Sequence, residues 1–244
     1  MQLHAVFPLR EPLELPIAHH HLLQSALYAL LREQSALARQ VHDGEQGPGR
    51  RAVKPLCFSD LDGPVLARNR RLTFSDRIGL TVRSINPGVI VAMEKALHTQ
   101  GLRLGSTVLR PQQLVCSQPL IQSDKANIVM RSPLTVHTAE PDGKTRYYQP
   151  LSPEFEGLVR QNFARKYAAV TGREPQGGIR IRATNLSAKD KCLTFYHRKN
   201  QPKIIIEAWY GRYLLEGRPE YLNFLYYMGL GARNAAGFGL FDVL

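Results

Sequence analysis

Two Gly-apolar-Gly units, Gly229-Leu230-Gly231 and Gly237-Phe238-Gly239, flank the five residues Ala232-Arg233-Asn234-Ala235-Ala236. Glycine reaches backbone conformations closed to other residues and lets a second backbone approach closely. Four of them around one arginine describe a tight turn, a bare main-chain surface suited to phosphates or sugars. Its position decides which glycine motif this is. A dinucleotide-binding fingerprint follows a strand and opens a helix. Here the run follows the helix-like segment 219–228 and leads into the strand-like segment 238–244. The Gly-Lys-Ser/Thr of a nucleotide-binding P-loop is absent. RNA backbone is the ligand class that fits best.

Composition points the same way. The 244 residues carry a net charge of +12, which favours polyanionic partners without constraining the fold. Residues 1–125 hold 15 basic and 10 acidic side chains and residues 126–244 hold 17 and 10, so the charge is not a basic tail on a neutral body. At 43% hydrophobic the chain can bury a core. Cys57, Cys116 and Cys192 lie far apart with no Cys-x-x-Cys, which gives no zinc framework and suits a reducing compartment. With no signal-peptide pattern and no apolar run near 18 residues, a soluble cytoplasmic protein is expected, with no membrane association.

Periodicity divides the chain into two similar units. In the first, strands are expected at 2–9, 53–59, 71–83 and 102–116, with helices at 18–42 and 87–100. Leu23, Leu27, Leu30 and Leu31 form the stripe of the first helix. The second is punctuated by Asn86 as N-cap, Pro87 at the first turn and Gly101 as stop. In the second unit, 127–138 reads as a strand, followed by an Asp142-Gly143 turn and an extended piece at Tyr147-Tyr148. Ser152 and Pro153 open a helix that Gly172 ends. Strands follow at 179–186, 191–197, 203–209 and 238–244, with a short helix at 219–228. Each half reads β-α-β-β-α-β. The expected fold is α+β, two tandem ferredoxin-like domains at 1–125 and 126–244.

The chain resembles the CRISPR-associated repeat-processing endoribonucleases, the sixth Cas family of the RAMP superfamily, over essentially its whole length. The resemblance rests on residues 17–31 with Tyr28, on Val41-His42-Asp43 and on Lys54-Pro55-Leu56-Cys57-Phe58-Ser59-Asp60-Leu61. Ser132-Pro133-Leu134-Thr135-Val136, Leu215-Glu216-Gly217-Arg218-Pro219-Glu220-Tyr221-Leu222 and the glycine run complete it. It implies tandem ferredoxin-like domains and metal-independent, cofactor-free cleavage of CRISPR precursor RNA within its repeats. The ribose 2′-OH would attack the adjacent phosphate, leaving a 2′,3′-cyclic phosphate and a 5′-OH. Implied partners are CRISPR repeat RNA, with room for other Cas proteins of a surveillance complex and for a homodimer. The alternative is an inactive RAMP protein that binds CRISPR RNA as a structural subunit.

Histidine suits both proton transfers of such a reaction because its unperturbed pKa is about 6.5. His42, expected at the end of the first helix beside a glycine-rich loop with Arg50 and Arg51, is the first candidate. Family members that use a triad imply Tyr28 and Lys54 as its companions, the lysine adding charge against the phosphate. His20 and His21 are held in reserve within His19-His20-His21, otherwise read as polar residues at a helix start. No metal ligands are expected. For RNA binding the candidates are Gly229, Gly231, Arg233, Gly237 and Gly239 in the glycine run. Arg180 and Arg182 join them on the alternating strand Ile179-Arg180-Ile181-Arg182, and Lys189, Lys191, Arg198 and Lys199 extend around the hairpin beyond.

Overall fold

A computed structural model describes residues 1–33, 35–44, 52–196 and 204–244. Eight strands form two four-stranded antiparallel sheets. The first holds β1 (Gln2–Pro8), β2 (Cys57–Phe58), β3 (Arg77–Arg83) and β4 (Gln113–Ser117) in the order β2-β3-β1-β4. The second holds β5 (Lys125–Met130), β6 (Arg180–Asn185), β7 (Arg212–Glu216) and β8 (Phe241–Val243) in the order β6-β7-β5-β8. Both sheets thus have the same strand order, second-third-first-fourth, which is the ferredoxin-like arrangement. Among the described residues five α-helices accompany them: α1 (His20–Leu30), α2 (Ser35–Asp43), α3 (Pro87–Gln100), α4 (Phe155–Thr171) and α5 (Pro219–Met228). Among the described residues no helix is long and apolar enough to cross a membrane.

Local chemistry explains the helix that matches expectation best. Asn86 accepts a hydrogen bond from the Gly88 amide at 2.9 Å, Pro87 occupies the first turn, and Gly101 closes α3 at φ 72°. Each sheet then buries its alternate residues under helices. Leu3, Ala5 and Phe7 of β1 pack with Leu23, Leu27, Ile90 and Met93 in one core. Ile128, Ile181, Tyr213 and Leu215 pack with Val159, Phe163 and Leu222 in the other.

Several expected elements are redrawn by long-range pairing. The single helix over 18–42 is two, because α1 stops at Leu30 and the chain restarts at Ser35. The strand expected over 71–83 is also two. Its first part, Arg71–Phe74, leaves for a three-stranded sheet with Leu13–Pro16 and Val65–Arg68. The piece over 102–116 is a small hairpin, Leu102–Leu104 with Thr107–Leu109, followed by β4. Ser152 does not cap α4: its hydroxyl donates to the Gln149 carbonyl, and the helix begins at Phe155 after Glu154. The strands expected at 191–197 and 203–209 form a separate hairpin, Lys191–Tyr196 with Ile204–Trp209, and β7 takes their place in the sheet.

Arg83 joins the two sheets. It sits on β3, is 1% exposed, and donates through Nε to Gln2 at 2.7 Å and through Nη2 to Asp242 on β8 at 2.6 Å. Nη1 donates to the Phe241 carbonyl, and the guanidinium stacks 3.6 Å from the Tyr226 ring centroid. Removing a buried charge that satisfies several acceptors is among the costlier substitutions. Arg83→Met should lower stability by about 3 kcal/mol, read as a shifted urea midpoint. A loss under about 1 kcal/mol would mean the apolar contacts alone hold the seam.

Candidate nucleic-acid interface and catalytic rim

The glycine run is buried rather than bare. Gly229, Gly231, Gly237 and Gly239 are all buried, and the loop is packed between the two halves of the chain. A Cβ on Gly239 would lie 2.0 Å from the Leu230 carbonyl oxygen, and one on Gly237 would lie 2.7 Å from the Phe58 ring. Most of the loop's amides face inward. Those of Gly229, Leu230, Ala232, Ala236, Gly237 and Gly239 donate to Leu225, Gly239, Thr135, Arg233, Asn234 and Pro133 carbonyls. This corrects the expectation of an open main-chain surface: the glycines serve close packing, and the exposed chemistry is left to side chains. Arg233 holds φ 61°, uncommon for a residue with a Cβ. Its Nε is buried without a hydrogen-bond partner, and its charge lies beside the Tyr147 phenol.

One buried lysine holds this loop. Lys166, on α4 and 4% exposed, donates to the carbonyls of Gly229 at 2.5 Å and Gly231 at 3.1 Å and to Asn234 Oδ1 at 2.9 Å. An ammonium has three donors, and all three are used. The Asn234 amide then donates to Leu230 and Phe238 carbonyls at 2.8 and 3.0 Å, tying one Gly-apolar-Gly unit to the other. Burial lowers the Lys166 pKa to about 7 and pushes the neighbouring Cys57 thiol up to about 11, so the thiol supplies no counter-charge near neutrality. The cation is answered by carbonyl dipoles alone. Nothing in the sequence reading marked Lys166 out. The available signal was its place seven residues after Val159 and three after Phe163, on the apolar stripe of α4.

Tyr28 and Lys54 fall near this loop. Tyr28 lies half-buried on α1, and the Lys54 ammonium sits 5.6 Å from its ring centroid although the two come from separate segments. Gln24 Nε2 donates to the Tyr28 hydroxyl at 3.3 Å and to the Ala235 carbonyl of the glycine loop at 2.8 Å. A cavity of about 210 Å³ opens here, lined by Gln24, Lys54, Arg165, Lys166, Arg233 and loop backbone. Beside it, Tyr28 of α1 and Arg32 just beyond its end line, with Arg39 and Asp43 of α2, a second cavity of about 450 Å³. Position 42 lies on α2; the His42 side chain is outside the described residues, as are Arg50, Arg51, His197, Arg198 and Lys199.

The reserve histidines are not solvent-facing residues of a helix start. His19 and His20 are both 5% exposed. His20 Nε2 sits 2.6 Å from Asp60 Oδ1, the Tyr210 hydroxyl donates to the other oxygen of Asp60, and the His20 ring packs on Phe238 at 5.1 Å. His20 therefore belongs to a partly buried network that links α1 to the second half. His21 is half-buried, with Nδ1 2.9 Å from the Ala18 carbonyl. On β6, Ile181 is buried while Arg180 and Arg182 are exposed, as alternation requires; Arg180 lies 3.7 Å from Glu156. Lys189 is exposed, and Lys191 pairs with Glu207 at 2.8 Å near the Trp209 ring.

Residues 116–243 match the family model for the C-terminal part of CRISPR associated protein Cas6. No curated protein matches the sequence. Among solved structures, a Cas6-related protein from Pyrococcus furiosus is similar over 100% of this chain and 98% of its own, with a TM-score of 0.84 at 17% identity. A RAMP protein that binds different RNA substrates follows at 0.81 and 18%, covering 100% and 99%. A Cas6 product complex gives 0.66 and 18%, with both chains covered in full. At such identities the likeness bears on the fold.

Lys166→Met keeps the length of the side chain but strands three acceptors, so it should lower stability by about 3 kcal/mol in a urea melt. A loss under about 1 kcal/mol would mean the loop holds its shape without the ammonium.

Proposed function

The chain belongs to the Cas6 family of CRISPR associated proteins, and from that premise we propose that it binds CRISPR repeat RNA and cuts it within the repeat. The observation that carries this reading is the meeting of Tyr28 and Lys54 beside α2 and the cationic cavity rimmed by the glycine loop. Cleavage uses the substrate's own 2′-OH. His42 removes its proton as the 2′-oxygen attacks phosphorus. The P–O5′ bond breaks, and a proton passes to the departing 5′-oxygen. Lys54 answers the negative charge gathered on the phosphoryl oxygens, and the Tyr28 hydroxyl donates a hydrogen bond to them. Arg233 holds a flanking phosphate, and the exposed Arg180, Arg182 and Lys189 extend the positive track.

His42→Ala should slow single-turnover cleavage by roughly 10²–10⁴-fold while RNA affinity stays within about twofold. A rate within threefold of the parent would remove His42 from the mechanism. Incubation of repeat RNA in EDTA, with and without a 2′-deoxy substitution at the cut site, tests the reaction class. Cutting that persists in EDTA and disappears on deoxy substitution is expected. Tight binding with no cutting of either RNA would instead identify a structural RAMP subunit.

Arg233→Ala should act on binding alone. Each lost phosphate contact flattens the dependence of log K on log salt by about 0.7 for a single strand. An unchanged slope would take Arg233 off the RNA.

A further inference from the structure

The small sheet of Leu13–Pro16, Arg71–Phe74 and Val65–Arg68 ends in a basic tip. Its two outer strands are joined by Asn69 and Arg70 alone, with Arg68 directly opposite Arg71. Both linking residues hold positive φ, 51° and 60°, as a type I′ turn requires. Asparagine tolerates that conformation, but the second position ordinarily takes glycine, and an arginine there is held against its own Cβ. The register adds a second cost, since like charges directly opposite on a hairpin repel. Arg71 is answered by Glu14, its Nε 3.0 Å from the carboxylate. Arg68 and Arg70 are exposed and form no ion pair among the described residues. An arginine where glycine would fold better, beside a second unpaired arginine, is an outlier that points to function rather than to folding. The Arg70 carbonyl accepts the Ile17 amide at 2.9 Å, which fixes the tip just ahead of α1. Tyr28 lies further along that helix, about 12 Å from His20 at a rise of 1.5 Å per residue.

We propose that this tip is a further RNA contact, outside the glycine-loop site, where Arg68 and Arg70 grip phosphates of the bound strand. The inference rests on the RNA-binding reading above and adds to it the place and the residues of a second hold. A guanidinium presents its donors in a planar fork that matches two phosphate oxygens. A phosphate seated between the two arginines also offsets the repulsion that the free hairpin carries. Tip and rim stand at separate points along α1, so a strand that touches both spans several nucleotides, at about 3.4 Å per phosphate where its bases stack. Phosphate contacts position a nucleic acid without reading its bases, so this hold lends affinity and register and no sequence preference.

A fluorescein-labelled U hexadecamer, titrated in EDTA at several salt concentrations and followed by anisotropy, tests the assignment apart from cleavage. Each lost phosphate contact flattens the slope of log K against log salt by about 0.7, which is about fivefold in affinity at 0.1 M salt. Arg68→Ala and Arg70→Ala should each show that loss, and the double substitution about 25-fold with a slope lower by about 1.4. Arg70→Lys, which keeps the charge, should stay within twofold of the parent. Arg70→Gly separates binding from folding: affinity should fall about fivefold while the thermal midpoint holds or rises by about 2 °C as the turn relaxes. An unchanged slope in the double variant overturns the proposal and leaves the tip to a protein partner or to solvent. So does a loss that Arg70→Lys fails to restore, or one that comes with a lowered midpoint in Arg70→Gly. Failure of the underlying RNA reading looks different: the parent itself shows no salt-sensitive binding, which removes this inference with it.

Discussion

The Lys166 ammonium and the three oxygens it grips set the geometry on which the interface is built. Its contacts fix the carbonyls of Gly229 and Gly231, and Asn234 transmits the same constraint to Leu230 and Phe238. The loop held in this way presses Gly237 against Phe58 and meets Gln24 through the Ala235 carbonyl. One lysine on the second half of the chain thus shapes a surface to which the first half contributes Gln24 and Lys54. Carbonyl oxygens saturate every donor of this lysine, yet burial still lowers its pKa to about 7. Most of the loop's amides are taken up separately, by backbone carbonyls such as those of Leu225, Thr135 and Pro133.

That arrangement divides the work between packing and chemistry. Glycines supply the close approach, while the charged groups at the rim come from Lys54, Arg165 and Arg233. Arg83 and the His20–Asp60–Tyr210 network add two further ties between the halves, one at the strand ends and one beneath α1. The candidate site is therefore a product of the seam. Neither sheet alone would bring Tyr28, Lys54 and the glycine loop together.

How much of this could be read from the sequence depended on the range of the interactions. Helix α3 was legible because Asn86, Pro87 and Gly101 act within a turn of one another. Strand β6 was legible because its Ile-Arg alternation is a local pattern. Strand β7 was not, since Lys191–Tyr196 and Ile204–Trp209 have equal strand character and only pairing with β5 and β6 selects β7 for the sheet. The break between α1 and α2 was missed because the leucine stripe runs through Leu30 and Leu31 to where α1 ends. Tyr28 and Lys54 came from the family resemblance, and their proximity is a tertiary fact. Lys166 carries no motif, and the His19-His20-His21 run does not reveal that His20 meets Asp60; each is defined by what folds over it, which composition and spacing do not record.

Gln24 gives the architecture a mechanical property. Its single amide nitrogen bonds both the Ala235 carbonyl and the Tyr28 hydroxyl, so the loop and the rim share a linkage one side chain long. The Tyr28 phenol and the Ala235 carbonyl of the loop are therefore oriented through the same neutral amide.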